Sequence, residues 1–184
     1  MLLALNKPYG VLCQFSPSGV RPTLADLLAV PAVYPAGRLD LDSEGLVLLT
    51  DDGRLQNRIA APRNKMDKRY WVQVEGEPDE ATCARLQQGV RVGDYVSRPK
   101  RAQRIVPPAS LWPRDPPIRV RRNIPTAWME IVLTEGKNRQ VRRTTAAVGY
   151  PTLRLIRAAI GPIDLVELDL APGRWVQLDP GALG

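Results

Sequence analysis

Asp40-Leu41-Asp42 stands between two apolar runs, Val33 to Leu39 and Glu44 to Thr50, whose composition suits strands. The arrangement predicts a strand, an acidic turn and a second strand, with Asp40 at a strand end. A carboxylate there can act on a substrate, or it can cap the turn through its own backbone; the residues alone leave both readings open. The rest of the inventory narrows the chemistry. The chain has no histidine, which removes Ser-His-Asp and Cys-His mechanisms and most catalytic zinc sites. Cys13 and Cys83 are far apart and form no CxxC, so they provide neither a disulfide framework nor a zinc pattern. Catalysis here would rest on carboxylates, tyrosines, lysines, arginines or backbone amides.

The elements around this turn read as short strands with helices inserted at irregular intervals. Leu2 to Leu5 predicts an opening strand and Thr23 to Ala29 a short helix. Asp51-Asp52-Gly53 supplies a turn before a helix from Arg54 to Ala61. Arg69 to Glu75 alternates aromatic and β-branched residues with polar ones, the period of a half-buried strand. Asp79 to Gln88, with an acidic first turn and Gly89 beyond it, reads as a capped helix. Trp128 to Thr134 predicts a central strand, Asn138 to Val148 a helix closing at Gly149, and Arg154 to Ile160 and Leu165 to Leu170 the last strands. This pattern implies an α+β fold with a mixed, mostly antiparallel sheet and flanking helices, organised as one two-lobed domain over residues 1–184. No apolar stretch is long enough to span a bilayer, and the N-terminus lacks the features of a signal peptide, so the cytoplasm is the expected compartment.

Charge is distributed unevenly. Residues 98–157 hold 14 Lys/Arg against 3 Asp/Glu, while the other 124 residues hold 12 basic and 16 acidic groups. A basic region inside an otherwise acidic chain points to a polyanion, with a solvated basic face as the plainer alternative. Of the 26 basic residues 21 are arginine, whose planar fork suits phosphate oxygens. Within this region Pro107 to Pro125 carries six prolines, Trp112, Arg114, Arg119, Arg121 and Arg122. A proline-stiffened loop of that composition suits RNA contact, or is a surface excursion.

Several segments resemble one family. Gly37-Arg38-Leu39-Asp40, followed by an acidic turn and a Leu-rich strand, resembles the catalytic motif of the small-subunit (RsuA) type pseudouridine synthases. Asn6-Lys7-Pro8-Tyr9-Gly10 is similar to that family's opening strand and turn, and Lys68-Arg69-Tyr70 to its Lys-x-Tyr strand. Glu135-Gly136-Lys137-Asn138-Arg139-Gln140-Val141-Arg142-Arg143 resembles its Glu-Gly-x-x-x-Gln-Val-Arg-Arg helix start, and Leu153-Arg154-Leu155-Ile156-Arg157 with Ile160-Gly161 the strand that follows. These segments keep the family order over nearly the whole chain. Leu111-Trp112-Pro113-Arg114, Asn138-Arg139-Gln140 and Pro151 to Arg157 place the likeness nearest a large-subunit branch of the family, branch E.

The resemblance implies a pseudouridine synthase fold with a central active-site cleft, and isomerisation of a uridine in ribosomal RNA, expected in 23S rRNA, met as free RNA or in a ribosomal precursor particle. It implies Asp40 as nucleophile, Arg142 as the cation that keeps it ionised and Tyr70 as the platform for a flipped uracil. Leu155 matches the apolar residue on the base's other side. Arg38 is expected to position RNA, Arg139 and Arg143 to bind phosphate, and Arg119, Arg121 and Arg122 to act from the proline-rich loop. No cofactor or metal is expected, because the isomerisation involves no redox change and no net hydrolysis. The S4-type RNA-binding module with which many relatives begin is not expected before the first strand, and a monomer is expected. Thr144-Thr145 departs from the methionine often found after Arg-Arg, a change expected to affect packing. The rival readings are the same chemistry on 16S or another RNA, and a ribosomal RNA-binding or folding factor without turnover.

Overall fold

Leu2-Leu3-Ala4-Leu5-Asn6-Lys7 forms strand β1 (Leu2–Lys7), in which all six side chains are buried. A strand covered on both faces opens as an apolar run, Leu2 to Leu5 here, and this one is an interior strand with a neighbour on each side. The computed structural model describes residues 1–184, and the chain divides into two compact units: Met1–Met66 with Arg157–Gly184, and Asp67–Ile156.

In the first unit β1 pairs antiparallel with β3 (Glu44–Thr50) on one side and β11 (Trp175–Leu178) on the other. The register sets Leu3 opposite Leu49 and Leu5 opposite Val47, and these four join Leu24, Leu28, Val33 and Leu39 in one apolar core. Cross-strand apolar pairs of this kind hold register, because a slip of one residue would turn the whole set to the other face. Helix α1 (Gly53–Ala60) follows, its N-cap Asp52 accepting from the Arg54 and Leu55 amides.

In the second unit β4 (Lys68–Glu75), β8 (Thr126–Leu133) and β7 (Arg101–Ile105) form an antiparallel sheet in the order β4-β8-β7. Tyr70 faces Ile131 and Val72 faces Met129. These residues pack with Cys83 and Leu86 of α2 (Glu80–Gln88), Val90 and Val92 of β5 (Val90–Val92), Val141 of α3 (Gln140–Ala147) and Leu155. Strand β5 forms a two-stranded ribbon with β6 (Tyr95–Ser97). Strand β9 (Thr152–Ile160) carries the chain from the second unit back to the first. The architecture is α+β with mostly antiparallel pairing, as the alternation of elements implied.

Four segments differ from the sequence reading. Val33 to Leu39 is not a strand along its length: only β2 (Tyr34–Pro35) pairs with β3, because Pro35 has no amide to donate and Gly37, at φ +88°, turns the chain away. Thr23 to Ala29 contains one 3-10 turn, Leu24–Asp26, whose Asp26 carboxylate accepts from the Thr23 amide at 2.7 Å. Leu165 to Leu170 is not a strand. After the short β10 (Ile163–Asp164), the Asp164 side chain accepts from the Val166 amide and starts helix α4 (Leu165–Leu168). A short apolar run fits either element by period, and here the cap decides. The last strand is instead β11, which the sequence reading missed along with β5, β6 and β7. No helix is long and apolar enough to cross a membrane.

Candidate active site

The turn that carries Asp40 is built on buried charge. The Ser43 amide donates to the Asp40 carbonyl at 3.1 Å, closing the turn, and the Gly10 amide donates to the Leu41 carbonyl at 2.9 Å, tying it to the segment after β1. That segment is held by Lys7, which is 0% exposed and donates from Nζ to the carbonyls of Pro8 at 2.9 Å and Val11 at 2.8 Å. Burial pushes the Lys7 ammonium down to about 8, partly countered by Cys13, Glu44 and Asp42, while Arg157 adds to the lowering.

Arg157, 3% exposed, lies under the same turn. Its Nε donates to the Leu46 carbonyl at 2.8 Å and its Nη1 to the Arg38 carbonyl at 3.4 Å, two residues before Asp40. Its Nη2 is buried with no hydrogen-bond partner. The backbone of Arg157 approaches so closely that a Cβ on Gly45 would collide with its carbonyl, and Gly45 also sits at φ +106°. Only glycine meets both demands. Asp40 itself is half-buried and the Arg38 side chain is exposed, so the turn presents one carboxylate and one guanidinium over a floor of fixed charges. Asp40, Asp42 and Glu44 all make polar or electrostatic interactions.

Tyr70 and Leu155 fall in one apolar cluster of the second unit, at 7% and 5% exposure, with Val141 of α3 between the motifs. The start of α3 is held by a polar knot. Gln140, itself buried, accepts from the Lys137 amide at 3.0 Å and donates to Glu135 at 2.6 Å and to Ser97 at 3.1 Å. Thr144 donates to Ser97 at 2.8 Å or receives from it, and bonds back to the Gln140 carbonyl at 2.7 Å. Glu135 and Gln140 are thus consumed inside the motif, and of its cations Lys137, Arg139 and Arg143 are exposed. Arg139, the N-cap, adopts φ +49°, a left-handed conformation that costs a non-glycine residue roughly 1–2 kcal/mol. Arg142 is half-buried and engaged in its own interactions, whereas Arg139 and Arg143 are exposed.

Tyr95 of β6 sets two of these cations: Lys137 Nζ lies 4.5 Å from its ring centre and Arg143 Cζ 5.6 Å. Burial raises the Tyr95 hydroxyl above its ordinary range, against a smaller lowering by Arg143, so the phenol stays neutral. Of the loop arginines, Arg121 pairs with Glu75 at 3.2 Å, while Arg119 and Arg122 are exposed. Trp112 is an anchor in this structure: Arg154 donates to its carbonyl at 2.9 Å and lies 5.9 Å from its ring.

Sequence reasoning put Arg38 in a strand leading into the Asp40 turn and the Arg139–Arg143 group at one helix start; the structure has Arg38 in irregular backbone just before the turn, and the helix start stands with Arg139 as its N-cap. Lys7, Arg157, Lys137 and Tyr95 were not singled out. For Arg157 a signal existed, since a cation inside a mainly apolar strand is buried and therefore bonded, and Lys7 stands at the end of such a run. Tyr95 had none, because its partners arrive from a distant segment. Among the side chains no group of three or more His, Cys, Asp or Glu could hold a metal.

A half-buried carboxylate on a rigid turn can serve as nucleophile or base, and a cluster of exposed cations can hold phosphates. Comparison with known proteins agrees with that chemistry. The family model described as RNA pseudouridylate synthase matches residues 1–147. The chain is 56% identical over 177 residues to ribosomal large subunit pseudouridine synthase E of Xanthomonas campestris pv. campestris, covering 95% of this chain and 94% of that one. It is 49% identical to the protein of the same name from Vibrio parahaemolyticus, covering 96% and 73%. A crystal structure of a pseudouridylate synthase superimposes with a TM-score of 0.78 at 28% identity, over 99% of this chain and 71% of that one. Motif order, fold and relatives converge, and the chain belongs to the RNA pseudouridylate synthase family, an isomerase family.

Proposed function

We propose that this protein converts one uridine of 23S ribosomal RNA to pseudouridine, with Asp40 as nucleophile. The observation that carries the reading is the 56% identity to a large-subunit synthase along nearly the full length of both chains. It is supported by the Gly37–Asp40 turn, whose backbone is fixed by the buried Arg157 and by Gly10. The reaction breaks the C1′–N1 bond, turns the uracil and joins C5 to C1′; N1 gains a proton and C5 loses one, so atoms balance without a cofactor. Asp40 attacks or deprotonates, Arg142 keeps it ionised, Tyr70 and Leu155 receive the base, and Arg38 positions the strand. The exposed cations Lys137, Arg139, Arg143, Arg119 and Arg122 take phosphates.

The test is carbodiimide mapping of pseudouridine across total ribosomal RNA from cells with and without the gene. One 23S signal should vanish and return with the wild type but not with Asp40→Asn. A 23S pattern unchanged by deletion would refute the assignment, and a missing 16S signal would move the substrate.

A further inference from the structure

The first unit is otherwise acidic, with ten Asp/Glu against five Lys/Arg outside the stretch Gly53 to Met66. Inside that stretch stand Arg54, Arg58, Arg63 and Lys65 and no acidic residue. The fold gathers them. Helix α1 and the 3-10 turn Pro62–Asn64 border a depression of about 410 Å³, open to solvent and lined by Gly53, Arg54, Asn57, Arg58, Arg63 and Asn64. No carboxylate lines it.

The frame of this depression is fixed. Pro62 starts the 3-10 turn and Lys65 ends it in a left-handed conformation, which folds the segment back on α1. Asn64 Nδ2 then donates to the carbonyls of Asn57 at 3.0 Å and Arg58 at 3.1 Å, and Arg63 Nη2 to Asn57 Oδ1 at 3.2 Å. Arg58 is committed to the carbonyls of Leu183 and Gly184. The guanidinium of Arg54, one helical turn from Asn57 and Arg58, makes no hydrogen bond or ion pair, so Arg54 and Arg63 are the heads available to a ligand.

Two forked cations with amide groups, in an open and mainly polar hollow, fit a phosphodiester that runs through. An enclosed, apolar pocket would fit a base or small metabolite instead. We propose that the α1 depression is a phosphate seat for the backbone of the RNA substrate, an anchoring point in a unit that is acidic everywhere else. The inference rests on the reading of the chain as an RNA-modifying enzyme.

The experiment measures Kd for a 23S rRNA transcript across a salt series, and pseudouridine formed at saturating enzyme. Variants are Arg54→Ala with Arg63→Ala, and Gly53→Glu. The second adds a carboxylate where a Cβ meets nothing within 4 Å and where an acid suits a helix N-terminus, so it tests the site without threatening the fold. A control pair, Arg21→Ala with Arg85→Ala, removes two exposed cations elsewhere. Both site variants should weaken binding about ten-fold, the double variant should lower the salt slope by roughly 1.5, and product at saturation should be unchanged. Site variants that bind like the wild type, or a control pair that weakens binding equally, overturn the seat. If the wild type makes no pseudouridine, the enzymatic reading fails, and the binding series still decides the seat.

Discussion

Lys7 and Arg157 in the first unit, and Lys137 and Arg143 in the second, are all cations of motif segments, yet the fold uses the two pairs in opposite ways. Lys7 and Arg157 are buried, and their protons go to backbone carbonyls around the Asp40 turn. Lys137 and Arg143 are exposed and rest on the Tyr95 ring. A buried cation must spend its donors on the protein or suffer desolvation, so it shapes backbone. An exposed one costs little to keep and remains free to meet a polyanion. The first pair fixes the backbone around the Asp40 carboxylate, and the second stands exposed on the Tyr95 ring.

Four experiments probe that division, beginning with the largest effect. Asp40→Asn should lower turnover at least about a thousand-fold with RNA affinity held within a few-fold, as seen in single-turnover kinetics beside a binding titration. Retained turnover would remove the nucleophile.

Arg157→Met and Arg143→Met should separate cleanly. The first strips partners from the Leu46 and Arg38 carbonyls and should lose about 2–4 kcal/mol in urea unfolding together with turnover. The second should leave unfolding within about 0.5 kcal/mol and weaken RNA binding alone. Equal behaviour of the two would erase the contrast.

For Lys7 the sign follows from its lowered value. Between the folded value of about 8 and the ordinary 10.5, the unfolded chain binds more protons, so stability rises as pH climbs through that window. Between pH 8 and pH 10 the rise should reach roughly 2 kcal/mol, and it should be missing from Lys7→Met when both are unfolded at pH 8, 9 and 10. Parallel profiles would mean that Lys7 is not held in the environment described.

The smallest effect concerns Arg139. Arg139→Gly and Arg139→Ala remove the same side chain, but only glycine accepts φ +49° without cost, so the glycine variant should be the more stable by about 1 kcal/mol. Both should bind RNA more weakly than the wild type. No stability gap would mean that the turn relaxes.

Much of this was legible in residue order. The buried strands β1, β3 and β4 were readable because apolar runs and alternation announce burial directly, and the caps at Asp52 and Asp79 announce helix starts. The Asp40 turn was readable because its acids, glycines and flanking apolar runs are contiguous. Val33 to Leu39 and Leu165 to Leu170 were misread because a short apolar run carries no period of its own, and one proline or one capping aspartate settles it.

By itself the sequence determined the central strands, the acidic turn with Asp40, the basic bias of residues 98–157 and the absence of imidazole chemistry. The tertiary structure alone decided which charges are sealed under that turn, that Trp112 anchors a loop on Arg154, and that Tyr95 seats Lys137 and Arg143. The physical reason is range. Period, capping and composition act between neighbours in the chain, whereas burial and hydrogen-bond partnership depend on residues as far apart as Leu46 and Arg157, which meet only when the strands pair.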